Sequence, residues 1–95
     1  MSVTLPSRER TQLKARAHHL KPVVRVGNAG LSDAFIAEVD RALADHELIK
    51  VQLDANDRDE RTAAAEEICA RTTSALVQHL GKVLVLWRPK ADEKA

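Results

Sequence analysis

Gly27 and Gly30 stand three apart around Asn28 and Ala29, directly after the apolar run Val23-Val24-Arg25-Val26 and directly before Leu31-Ser32. Glycine lets a chain turn tightly and lets another backbone come close, because no Cβ intervenes. A helix starting just beyond would present free N–H groups and a positive dipole end, which suits phosphate. Lys21 and Arg25 flank the loop, and Arg10, Lys14 and His18 precede it. The predicted chemistry is capture of a nucleic-acid backbone. A dinucleotide loop needs a third glycine and a later acid, and a nucleotide-hydrolysing loop needs Gly-Lys-Ser/Thr; neither follows here. The similar loop of KH domains joins two helices, whereas this one joins a predicted strand to a predicted helix.

No other constellation promises chemistry. Ser2, Ser7, Ser32 and Ser74 lack the context of a nucleophile elbow. The acids gather at predicted helix starts and solvent faces, with no acid–base pair to act on a substrate. His18, His19, His46, His79 and the single Cys69 match no metal spacing. The chain is predicted not to be an enzyme and to need no cofactor or metal. Aromatics are nearly absent, with Phe35, Trp87 and no tyrosine. Recognition should therefore rest on backbone charge and RNA shape rather than on base stacking.

The charge distribution supports a basic face. Net charge is only +1, but residues 1–30 carry +5, residues 31–69 carry −7 and residues 70–95 carry +3. A nearly neutral protein of this kind can present a local basic face to phosphate. Ninety-five residues, 44% of them apolar, make one domain with its core at about residues 5–90. No apolar stretch approaches membrane-spanning length, the N-terminus does not read as a secretory signal, and one cysteine cannot form an internal disulfide. These features predict a cytoplasmic protein, a monomer with no membrane partner.

The elements that position the loop are legible in the periodicity. A first helix is predicted over about residues 6–18, with Pro6 in its first turn, Ser7 as its cap, and Leu13 and Ala17 turned inward. A strand follows over residues 23–26. Ser32 should cap a second helix to about Ala44, with Phe35, Ile36, Val39 and Leu43 as one buried stripe. Residues 48–53 alternate as a half-wet strand. Asp57 and Glu60 resemble a capping box for a third helix to about Thr72, with Ala64, Ala65, Ile68 and Cys69 inside. Residues 75–80 and 83–87 form a hairpin across Gly81-Lys82. The fold class is α/β, in the order helix, strand, helix, strand, helix, strand, strand, with a four-stranded mixed sheet packed with helices.

Four segments in order, His18-His19-Leu20-Lys21-Pro22-Val23-Val24, Val26-Gly27-Asn28-Ala29-Gly30-Leu31, His46-Glu47-Leu48-Ile49-Lys50-Val51 and Gly81-Lys82-Val83-Leu84-Val85-Leu86-Trp87-Arg88-Pro89, resemble the CRM domain. The chain is most similar to the bacterial single-domain YhbY family, over about residues 5–90. The resemblance implies a fold similar to the C-terminal domain of bacterial translation initiation factor three. It implies RNA binding through the Gly-x-x-Gly loop and its basic surroundings, and association with ribosomal RNA in precursors of the large ribosomal subunit. Many members carry a lysine or another polar residue between the glycines; Asn28-Ala29 stand there here. Attraction should then depend more on Lys21, Arg25, Lys14 and Arg10, and Asp33 would set a negative charge nearby. The alternative function is a protein-interaction module docking on a ribosomal protein or assembly factor through the acidic residues 54–67.

Overall fold

The computed structural model describes residues 6–26, 31–54 and 57–89. Along the chain these form α1 (Ser7–Ala17), β1 (Pro22–Val26), α2 (Asp33–His46), β2 (Leu48–Leu53), α3 (Arg58–Thr72), β3 (Ala75–Leu80) and β4 (Val83–Trp87). The strands make one sheet in the order β1-β2-β4-β3. β1 and β2 are parallel, β4 is antiparallel to both neighbours, and β3 therefore runs parallel to β2 with β4 inserted between them.

Two cores follow from the alternation of side chains along the strands. Ile49, Val51 and Leu53 of β2 and Leu84 and Leu86 of β4 meet Phe35, Ile36, Val39 and Leu43 of α2 and Ala65, Ile68 and Cys69 of α3. On the opposite face, Leu48, Val85, Ala75 and Val77 meet Leu13 and Ala17 of α1, with Leu20 and Trp87 at the margin. The apolar run of β4 is thus explained: it is a central strand covered on both sides. A single helix covers only part of its face, so the rest of that sheet surface stays open.

The helix ends show where local chemistry decides. The Ser32 hydroxyl accepts from the Phe35 N–H at 3.1 Å and caps α2. That helix runs past Ala44 to His46, and stops because Glu47 turns to φ 65°. Asp57 caps α3 by accepting from the Asp59 N–H at 3.1 Å, one residue short of the Glu60 position that a capping box would use. Ser7 is not a cap. It is the first residue of α1, preceded by Pro6 in extended conformation (φ −63°, ψ 153°) with no side-chain cap bond. The hairpin turns at Gly81, whose φ of +56° favours glycine, and the Lys82 carbonyl accepts from the Leu53 N–H at 2.7 Å.

Beside the hairpin, β3 carries an irregularity between Leu76 and Gln78. Arg10 of α1 reaches this point, and its Nη1 donates to the carbonyls of Leu76 (2.6 Å) and Val77 (3.2 Å). At the same end of the sheet, just beyond β4, Arg88 ties three elements. It donates to the Asp40 carboxylate and carbonyl and, at 2.8 Å, to the Thr72 carbonyl.

Candidate nucleic-acid interface

The Gly27, Asn28, Ala29 and Gly30 segment lies outside the described residues. Its anchors are defined: β1 ends at Val26, and α2 begins at Asp33 behind the Ser32 cap. The segment therefore leaves the sheet at the carboxyl end of β1 and leads into a helix N-terminus. Ligands of open α/β sheets gather at the carboxyl ends of the strands.

The open sheet face can be read from the register. Arg25 pairs with Gln52, Gln52 with Val83, and Val83 with Leu80, which sets these four side by side across all four strands. Leu80 is 53% exposed, an unusual position for a leucine. One level below, Lys50 pairs with Val85 and Val85 with Gln78. α1 borders this level. Lys14 and His18, one helical turn apart, line a hollow together with Lys50, Gln78 and Leu80. Three basic side chains from two elements thus converge beside exposed apolar surface. None of the three forms an ion pair with a described residue.

The remaining predicted residues differ in how free they are. Lys21 is exposed just before β1 and unpaired among the described residues. Arg25 is exposed but its Nε lies 3.2 Å from the Asp54 carboxylate, which offsets part of its charge. Arg10 sits at the far edge of the sheet from β1, with one guanidinium nitrogen committed to β3 carbonyls. The structure therefore brings Lys14 and His18 together and keeps Arg10 apart from Arg25. Asp33 does not stand alone at the start of α2, because Arg71 donates to it at 2.7 Å.

Lys50 and Gln78 escaped selection from sequence. Lys50 was legible as the polar member of an alternating strand, but its meeting with Lys14 needs the packing of α1 on the sheet. Gln78 joins that face through the β3 irregularity, which alternation alone does not reveal. Three of the six acids of residues 54–67 are engaged in local structure. Asp54 pairs with Arg25, Asp57 caps α3, and Glu67 pairs with Arg71 at 3.3 Å. Among the described residues no group of His, Cys, Asp and Glu is arranged to hold a metal ion. Burial pushes the Cys69 thiol pKa upward, against a smaller lowering from its hydrogen bond with Ser74. None of the described helices is long and apolar enough to cross a membrane.

Residues 5–88 match the CRS1 / YhbY (CRM) domain. The chain belongs to this family. A Pseudomonas aeruginosa relative named a probable RNA-binding protein is 45% identical over 93 residues, covering 96% of this chain and 89% of the relative. A Haemophilus influenzae protein named RNA-binding protein is 42% identical, covering 96% of this CRM chain and 92% of its own. The solution structure of a hypothetical protein from Staphylococcus aureus superposes with a TM-score of 0.83 at 30% identity, over 95% of this chain and 94% of that one. The four-stranded mixed sheet and three helices of this CRM domain are thus those of a solved relative.

Proposed function

We propose that this CRM-family chain is a non-enzymatic RNA-binding protein that acts as a single domain. Its ligand is ribosomal RNA in precursors of the large ribosomal subunit, bound in the cytoplasm by a monomer. The observation that carries this reading is the convergence of Lys14, His18 and Lys50 on the open sheet face. Relatives that share more than 40% of the sequence and bear RNA-binding names support it.

In the proposed complex, backbone N–H groups of residues 27–30 hold one phosphate at the start of α2. Lys21, Lys14, His18 and Lys50 draw the neighbouring backbone across the sheet. Arg25 adds charge offset by Asp54, and Arg10 mainly holds α1 in place. Gln52 and Gln78 offer amides to ribose hydroxyls, the groups that tell RNA from DNA. Crosslinking in cells, followed by sequencing of the bound RNA, tests the assignment. Reads dominated by large-subunit ribosomal RNA support it; reads spread over messenger RNA overturn the ribosomal assignment.

A further inference from the structure

A second hollow lies at the opposite end of β1 from Val26, where α1 has ended and β1 and β2 begin. It has a volume of about 300 Å³ and is lined by Leu20, Val23, Leu48 and Ile49, with Arg16, Lys21 and His46 among its polar borders. That volume is at the lower end of what small-ligand sites use, and an apolar lining with a few polar groups is their usual make-up.

The walls have a structural origin. The β1–β2 pairing shifts register between Pro22 and Val24, and Val23 is left 54% exposed at this point on the sheet edge. Leu48 forms a buried floor, at 4% exposure, while the neighbouring Ile49 turns its side chain into the core on the other face. Leu20 closes the upper side, held by its N–H donating to the Ala17 carbonyl at 3.0 Å. Arg16, Lys21 and His46 come from three places in the chain and form no ion pair with a described residue.

We propose that this hollow receives one unpaired nucleobase of the bound RNA, with the adjoining phosphates on Arg16 and Lys21. The proposal rests on the RNA-binding reading and adds a base-sized site to it. The charge of the borders selects the occupant. An apolar slot framed by unpaired cations fits a flat, weakly polar ring carried on a polyanion. Neither Phe35, buried in the α2 core, nor Trp87, half-buried beside α1, lines the hollow. Aliphatic walls are then where a base face can leave water, and unstacked bases of loops and bulges are what proteins reach in RNA. The His46 ring nitrogens supply a hydrogen bond to a base edge.

The test uses the full chain and two hairpin RNAs, one with a single bulged adenosine and one with an abasic site at that position. The wild-type protein should bind the first about tenfold more tightly, the equivalent of about 1.4 kcal/mol. Methyl resonances of Leu20, Val23 and Leu48 should shift with the first hairpin and stay in place with the second. Val23→Gln, a neutral polar change at an exposed position, should abolish the preference while leaving the abasic hairpin bound as before. Equal affinity for the two hairpins, with the pocket methyls unmoved, overturns the proposal, while RNA binding stands. Failure to bind either hairpin overturns the RNA-binding reading and this proposal with it.

Discussion

Arg10 Nη1 sits 2.6 Å from the Leu76 carbonyl oxygen, and this bond fixes the N-terminal half of α1 to the sheet edge where β3 is irregular. A charged donor to a carbonyl contributes about 1.5–3 kcal/mol, reduced here because Arg10 is only half-buried. Arg10→Ala should therefore lower stability by about 1–2 kcal/mol, a fall in Tm of roughly 4–16 °C for a domain of this size. Thermal unfolding followed by circular dichroism checks this. A variant that melts with the wild type but loses RNA would return Arg10 to the binding surface.

Lys14 and Lys50 should behave in the opposite way. Both line the hollow beside α1 without ion pairs among the described residues. Lys14→Ala and Lys50→Ala should change stability by no more than about 0.5 kcal/mol. Each should lower the slope of log affinity against log salt by about 1 for a structured RNA. Affinity that is flat between low and moderate salt would argue against phosphate-led binding altogether.

Gly27→Asp and Gly30→Asp place a carboxylate where the proposed phosphate lies. Weakened RNA binding of about tenfold or more, with an unchanged melting curve, is the expected outcome, since a like charge beside phosphate costs at least the 1.4 kcal/mol that tenfold represents. Folded variants with full affinity would remove residues 27–30 from the interface.

Thr73 ends α3 in the left-handed region, at φ 53° and ψ 50°. A β-branched residue is strained there, by about 1–2 kcal/mol. Thr73→Gly should relieve that strain and lose part of the gain to the greater freedom of the unfolded chain, leaving roughly 0.5–1 kcal/mol of added stability. Urea unfolding would show a higher midpoint at an unchanged slope. An unchanged or lower midpoint would show that the turn is held by other contacts.

Cys69 is 3% exposed, and burial holds its thiol pKa above the ordinary value. Only the unfolded chain then releases this proton as pH passes about 8.5. The unfolded state binds fewer protons above that point, so this contribution to stability is full at neutral pH and is lost as the solution becomes more alkaline. Labelling by a thiol reagent should be slow in native buffer and should accelerate along the denaturant unfolding curve. Rapid labelling of the native protein would contradict the burial.

Much of this was readable from periodicity and punctuation. The stripe Phe35, Ile36, Val39 and Leu43 announced α2, and each of those side chains is buried. The two-sided apolar run of Val83-Leu84-Val85-Leu86-Trp87 announced a covered strand. The interface was less legible. Lys14 and Lys50 are 36 positions apart in sequence, and only the packing of α1 on β2 joins them. Arg10 looked like a ligand contact because its charge is visible in sequence, whereas its carbonyl partners arise from an irregular strand pairing that no local pattern encodes.

The place of β4 between β2 and β3 has a consequence in time. A chain made from its N-terminus produces β1, β2 and β3 before the strand that joins the last of these to the others. Until residue 87 has been made, β3 has no neighbour on its inner edge, and β2 is the only central strand common to the two cores. Shortening the chain before Val83 should therefore prevent folding rather than trim it. A growing chain of this protein can complete its sheet only after β4 has been made.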